Sequence, residues 1–413
     1  MNIKELLRRL QFVLLLLILV TLPFVTVLNS ALIISWAVAW VLSLIAGRFQ
    51  FDVKKTWPEA WIFSSLCLIY LVVIVLRMQW DFGFIIEKKF SLLILPLMMA
   101  NGDRYDKKQV LIVLATFVAA VGLSEIRAAI LHPELLTGVP STADIDSWLP
   151  MRRPYFGMYL MTAMLFTFYL ALQAKTIIYR AAIGLIAIAF AYCTFMIFTK
   201  MAIGSFIIAI TATFIIWLAV EKKYLALGSF LFAIILGTTL LITLNDDLRT
   251  IIVKIIHRDG FDYSKYQWTY FLSMNMRYAI WTCSAELLAQ DYNWLTGYGL
   301  DHQVGLDLCY ARPGMWESFG VIPMYLDIGN SVYNAHSEYL TIWLDAGIIG
   351  LLALLAVVFF ACRRAIKDRN YLYLAFVILF FSCCLTETCL SVQRGIVLFA
   401  FFNSFFAFAI KKD

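Results

Sequence analysis

The sequence predicts an all-α polytopic membrane protein of about twelve transmembrane helices with one large extracytoplasmic loop module. Three observations predict it. Of 413 residues, 62% are hydrophobic and 15% charged, with mean hydropathy +0.84, where soluble domains hold roughly 45–50% and about 25%. The apolar residues form unbroken runs instead of alternating, which excludes an outer-membrane barrel, disorder and collagen-like repeats. Lys and Arg gather between the runs. At about 20 residues per crossing, twelve spans consume some 240 residues, so function must come from loops and helix ends.

The runs fall near 11–28, 31–47, 61–76, 89–100, 110–126, 155–173, 181–198, 202–219, 225–244, 338–360, 371–387 and 395–410. The fourth is short. The first follows Lys4, Arg8 and Arg9 like a signal peptide. It lacks a small-residue cleavage site and another apolar run follows at once, so it is expected to be retained. Cytoplasmic loops carry the excess of cations. With the N-terminus inside, 19 of the 33 Lys and Arg residues fall in short inner segments, at Lys4, Arg48, Lys54, Arg104, Lys107, Lys175, Arg180, Lys222, Arg363, Lys411 and their neighbours. Both termini are therefore expected in the cytoplasm. The net charge of +6 reflects topology, and no nucleic-acid partner is expected. The chain divides into spans one to nine (1–244), a loop module (245–336) and spans ten to twelve (337–413).

The outer loop of about 92 residues, Asn245 to His336, is too long to be structureless. Within it, Arg277 to Gln290 reads as an amphipathic helix with Ala279, Ala285 and Leu288 on its apolar side, Arg277 opening the helix and Thr296–Gly299 (TGYG) terminating it. A second outer loop, about 127–154, carries Asp144, Asp146, Arg152 and Arg153.

His336 is the sharpest feature. It begins His-Ser, nine residues, Gly-x-x-Gly at the head of the tenth span. Eleven residues of continuous helix turn through about 1,100°, which would put Gly347 on the face of His336 and let another helix pack closely there. His336 is either an interfacial histidine above a packing site or a titrating group of a site. Arg152 and Arg153 stand just before the sixth span, with Pro154 suiting the break between loop and helix. Lys200 lies in the turn between spans seven and eight, against the positive-inside trend. Singly each cation suits an anchor to lipid phosphate. Together on one rim they suit an anion, since guanidinium forks grip phosphate oxygens in pairs.

Glu387 and Arg394 form an ion pair closing the bundle or line the site. His132, His257 and His302 have no partner at metal-ligand spacing, so no metal and no cofactor is expected. Asp144 and Asp146 suit a solvated loop better than a divalent ion. Six of the eight cysteines (Cys67, Cys193, Cys362, Cys383, Cys384, Cys389) fall in or beside spans, as small apolar residues do. Cys283 and Cys309 share the large outer loop, where an oxidising compartment permits pairing.

The His336-Ser-x9-Gly-x-x-Gly stretch after one large loop, with Arg277-x-x-x-Trp281 and Gly297-Tyr298-Gly299 before it, resembles the O-antigen ligase and O-antigen polymerase superfamily. The resemblance covers the whole chain and implies a GT-C-like integral-membrane glycosyltransferase, inverting and metal-independent, at the periplasmic face of the bacterial inner membrane. The implied donor is an undecaprenyl-diphosphate-linked glycan and, for a ligase, the acceptor is lipid A–core oligosaccharide. By the same resemblance His336 is the base, Arg277 binds the diphosphate, and Arg152 or Arg153 adds a cation. Lys200 stands where many members have arginine, which keeps the charge and loses the fork. One dominant outer loop favours ligase over polymerase, and spans that look free of charge at mid-depth disfavour a transporter or flippase.

Overall fold

The computed structural model describes residues 3–52, 54, 58–137, 142–197, 199–244, 269–316, 318 and 334–411. It is all-α, with no strand among the described residues. In chain order the helices are α1 (Ile3–Thr21), α2 (Thr26–Ile45), α3 (Glu59–Leu76), α4 (Gly83–Ala100), α5 (Lys107–Leu131), the short α6 (Glu134–Thr137) and α7 (Thr142–Trp148), α8 (Arg153–Gln173), α9 (Ile177–Met196), α10 (Lys200–Val220) and α11 (Tyr224–Leu244). After these come α12 (Thr269–Ala289), α13 (Asn293–Thr296), α14 (His302–Tyr310), α15 (Glu338–Lys367), α16 (Tyr371–Cys383) and α17 (Gln393–Ser404). Each of the twelve predicted spans meets a helix. Seven helices, α2, α3, α5, α8, α9, α10 and α15, are long and apolar enough to cross a membrane by length and composition. The chain is a polytopic membrane protein.

Two boundaries differ from expectation. The first span ends at Thr21, not near residue 28, because Pro23 has no N–H to donate and its ring disfavours helix at Leu22. The fourth begins at Gly83, six residues before the apolar run, because Lys89 is buried and paired inside the bundle.

Hydrogen bonds between turns sort into two groups, as spanning helices require. At one end, Arg394 donates to the carbonyls of Phe24 and Pro150, Tyr155 to that of Thr388, and Arg77 to those of Thr296, Gly297 and Tyr298. At the other, Lys4 reaches Gly47, Arg48 pairs with Asp103, Arg364 with Glu59, and Lys411 N–H meets the Tyr105 carbonyl. The centre is α17. Every residue from Gly395 to Ala409 is buried, and Phe402 packs edge-on against Phe166 (4.8 Å) and Phe117 (5.0 Å). A π turn at Phe405–Ala409 ends this central helix.

The loop helices dock on α15 through backbone. Gly347 is not helical: at φ 66° and ψ −161° it breaks α15. The Tyr298 and Gly299 N–H groups donate to the carbonyl of Leu344 at 2.6 and 3.1 Å, filling the break with the turn that the sequence places after the Arg277 helix. The expected helix-to-helix packing at Gly347 is therefore corrected. A Cβ there would collide with the Leu295 carbonyl and stand 2.6 Å from Gly297 N, so close approach does demand glycine, but to a loop. The TGYG turn ends α13, not the Arg277 helix, and Arg77 holds its carbonyls from the far side.

Side chains reinforce the joint. His302 Nδ1 lies 2.7 Å from Asp345 Oδ1, and Tyr70 donates to Asp345 Oδ2 at 2.6 Å. Burial disfavours the imidazolium of His302, but the Asp345 carboxylate and the Gly299 carbonyl outweigh it and raise the pKa above the ordinary histidine value. Cys283 and Cys309 are disulfide-bonded, joining α12 to α14. The other six cysteines are free.

Gly347→Ala is expected to cost on the order of 2–3 kcal/mol through strain at positive φ alone, more with the collision. A melt in detergent matching wild type would contradict the docked turn. The His302–Asp345 joint carries a pH signature. Because the folded pKa is raised, its stabilisation is complete below the ordinary histidine range and lost as pH rises through the folded value. Asp345→Asn should flatten that fall in the melting temperature.

Candidate active site at the turn between the last two helices

The segment between α16 and α17, residues 384–392, collects groups that stand as many as 301 positions away in the sequence. Glu387 sits at its middle with a side chain only 7% exposed. One oxygen accepts from an Arg277 guanidinium nitrogen at 2.8 Å, while Arg277 Nε reaches the Thr386 carbonyl at 3.4 Å. The other oxygen lies 3.6 Å from His336 Nδ1, ion-pair contact beyond hydrogen-bond length. A single buried carboxylate thus stands between the two residues that the sequence singled out. The sequence offered Glu387 as a site candidate but not its partners, which are 51 and 110 positions away.

His336 is not on the helix. Its N–H donates to Asn334 Oδ1 at 3.0 Å and its φ is 43°, a left-handed conformation in which histidine is among the enriched residues. Ser337 is the N-cap of α15 and the helix starts at Glu338. The face shared with Gly347 is therefore corrected: neither residue lies in continuous helix. What aims the imidazole is the Asn334 turn, itself tied to the site by an Asn334 Nδ2 bond to Thr388 Oγ1 at 3.1 Å.

Arg277 lies in the third turn of α12, not at its start, since the helix begins at Thr269. The buried face of α12 carries Ala279, Ile280, Cys283, Leu287 and Leu288. Ala285 is exposed, contrary to the expected apolar side.

Helix α8, which begins with Arg153, reaches the same turn through Tyr155, whose hydroxyl donates to the Thr388 carbonyl at 3.3 Å. Arg152 is the exposed N-cap of α8. Arg153 binds Asp146 Oδ1 through its backbone N–H (2.8 Å) and its guanidinium (3.2 Å), which gives Asp146 a structural partner. Lys200 opens α10 immediately after Thr199. A Cβ on Gly157, one turn after Arg153, would stand 2.5 Å from Thr199 Oγ1, so the Lys200 turn packs directly on the arginine turn. The expected Glu387–Arg394 pair is corrected: Arg394 binds the Phe24 and Pro150 carbonyls, while Glu387 turns to Arg277.

The interior also departs from expectation. Lys89, Glu338 and Asp345 are buried charges within or at the head of spanning helices, so the bundle is not free of charge. Lys89 and Glu338 are anchored to the site turn at Leu390, with Lys89 Nζ 4.0 Å from the Tyr70 ring centroid, while Asp345 is held by Tyr70 and His302. His132 stacks on Trp148. His257 and the Asp144 side chain lie outside the described residues. Among the described residues no group of three His, Cys, Asp or Glu side chains is arranged to hold a metal.

Fold and site together define a polytopic all-α membrane protein with a histidine, a carboxylate and basic side chains gathered at one end of its bundle. Residues 182–355 match the family described as O-antigen ligase. The match runs from α9 into α15 and includes Lys200, Arg277, His336 and Gly347. No curated protein matches the chain. The family supports ligase- or polymerase-type transfer of a lipid-linked glycan.

Arg277→Ala should strand the buried Glu387 charge and destabilise the protein by about 3 kcal/mol, the low end for breaking a buried pair. Arg277→Met combined with Glu387→Gln, which removes both charges, should cost less. Equal losses in the melting temperatures would show that the pair is not coupled.

Proposed function

We propose that the chain is an O-antigen ligase, transferring a glycan from undecaprenyl diphosphate to a hydroxyl of lipid A–core oligosaccharide. The observation that carries this reading is Glu387 between His336 and Arg277, within reach of the turns holding Arg152, Arg153 and Lys200. The transfer needs one proton removed and one anion stabilised. With Nδ1 turned to Glu387, the other ring nitrogen of His336 faces away and accepts the acceptor proton as the hydroxyl oxygen attacks the anomeric carbon. The Glu387 carboxylate stabilises the imidazolium that forms, and its hold orients the ring.

The bond from the anomeric carbon to the diphosphate oxygen breaks on the opposite face, inverting the centre. Undecaprenyl diphosphate leaves as an anion, so no general acid is required. Arg277 lies on the far side of Glu387, and its guanidinium charge meets the diphosphate as negative charge grows. Arg152, exposed and without an ion pair among those described, is the better second fork, since Arg153 is committed to Asp146. Lys200 adds charge without a fork. This division of labour needs no metal ion.

The cation-rich end of the bundle, with Lys4, Arg48, Arg364 and Lys411, is assigned to the cytoplasm by the positive-inside rule. The site end then faces the periplasm, where the Cys283–Cys309 disulfide is at home, and both termini face inward. The loop helices α12 to α14 bring Arg277 to this site and dock on α15. The buried charges do not revive a transporter, because Lys89 and Glu338 bond the site turn and Asp345 bonds Tyr70 and His302.

Purified protein given undecaprenyl-diphosphate glycan and core acceptor in the presence of chelator should form glycosylated core. His336→Ala should abolish transfer while retaining donor binding, and Arg277→Lys should weaken donor binding less than Arg277→Ala. Wild-type turnover by His336→Ala would refute the base assignment. Longer carrier-linked glycan without core product would identify a polymerase.

A further inference from the structure

Glu338 lies two residues after His336 and is fully buried. It grips both ends of the segment whose middle is Glu387. Its backbone N–H donates to the Cys384 carbonyl at 2.9 Å, and its side-chain Oε2 accepts from the Leu390 N–H at 2.8 Å. Lys89, from α4, donates to the carbonyl of the same Leu390 at 2.7 Å and is itself 4% exposed. The two hydrogen-bonding groups of one residue are thus held by a buried anion and a buried cation. An exposed turn closing two helices needs no such device, and placing charge inside a membrane bundle is costly unless it serves a site.

We infer that Glu338 and Lys89 are positioning residues that set the Glu387 carboxylate against His336. The chain geometry gives the reason. His336 precedes Glu338 by two residues, and Glu387 stands three residues from each of the two anchored positions, Cys384 and Leu390. One rigid side chain therefore fixes the base and its carboxylate in a common frame. Neither Glu338 nor Lys89 touches the reacting groups. Lys89 balances the Glu338 charge, and the Tyr70 ring beneath its ammonium, 4.0 Å away, holds it in place. If the Leu390 clasp is released, the segment carrying Glu387 can swing from His336 while its fold persists. Arg277 pulls on Glu387 from the other side and cannot restore the contact. The inference rests on the proposed role of His336 as base.

The test compares two charge-neutral pairs, Lys89→Met/Glu338→Gln and Lys89→Met/Glu338→Leu, in purified full-length protein by the glycan-transfer assay. Both lose the buried charges, but only the glutamine keeps an acceptor for Leu390 N–H. The leucine pair should show kcat at least tenfold below the glutamine pair, with the donor KM unchanged. Should the leucine pair fail to fold, Glu338→Asp decides: it keeps the charge but shortens the reach to Leu390, and the same fall in kcat at unchanged donor KM is expected. An inactive His336→Ala beside a leucine pair, or Glu338→Asp, with the kcat of its reference overturns this inference alone. An active His336→Ala overturns the base reading on which it rests.

Discussion

A carboxylate that is 7% exposed must have its charge balanced locally, and Glu387 is balanced from two sides. The Arg277 guanidinium arrives from the loop helix α12, and the His336 imidazole from the segment that leads into α15. Burying an unpaired anion would cost several kcal/mol, so the loop helices, the head of α15 and the α16–α17 segment are bound to adopt one mutual arrangement. Tyr155 and Asn334, both bonded to Thr388, bring α8 and the Asn334 turn to the same place.

That arrangement depends on a second joint farther down α15. The break at Gly347 exposes the Leu344 carbonyl, which a continuous helix would have occupied, and the Tyr298 and Gly299 N–H groups take it up. Arg77 and Asp345 close the joint from α3 and α15. Backbone-to-backbone docking of this kind fixes position more tightly than apolar contact, and in a lipid environment such freed backbone groups must find partners in protein. The disulfide between α12 and α14 makes the docked helices one body, so the register set at Gly347 is carried along α12 to Arg277. The docked loop helices and the proposed anion site are in this sense one mechanical unit.

Much of this was legible in the sequence. Unbroken apolar runs are the direct imprint of lipid on composition, so all twelve helix positions could be read, with errors where Pro23 stops a helix inside an apolar run and where Lys89 extends one beyond it. His336, Arg277, Arg152, Arg153 and Lys200 stood out because ionisable groups at the rim of a hydrophobic chain have few bland explanations. The Cys283–Cys309 pair was readable as the two cysteines sharing the large outer loop. Glu387 was read as either pairing with Arg394 or lining the site, with its actual partners unseen, and Glu338 and Asp345 passed as ordinary members of a span. Sequence proximity is a poor guide to ion pairing when turns far apart in the chain meet at one end of the bundle.

The sequence by itself determined the class of protein and where its apolar helices lie, because hydrophobicity acts residue by residue against a fixed solvent boundary. Tertiary structure alone decided that α17 is the central helix, that Gly347 accepts a loop instead of a helix, and that Glu387 stands between His336 and Arg277. These outcomes depend on which backbone groups and which buried charges find partners, and such partners are chosen by proximity in space across separations of tens to hundreds of residues.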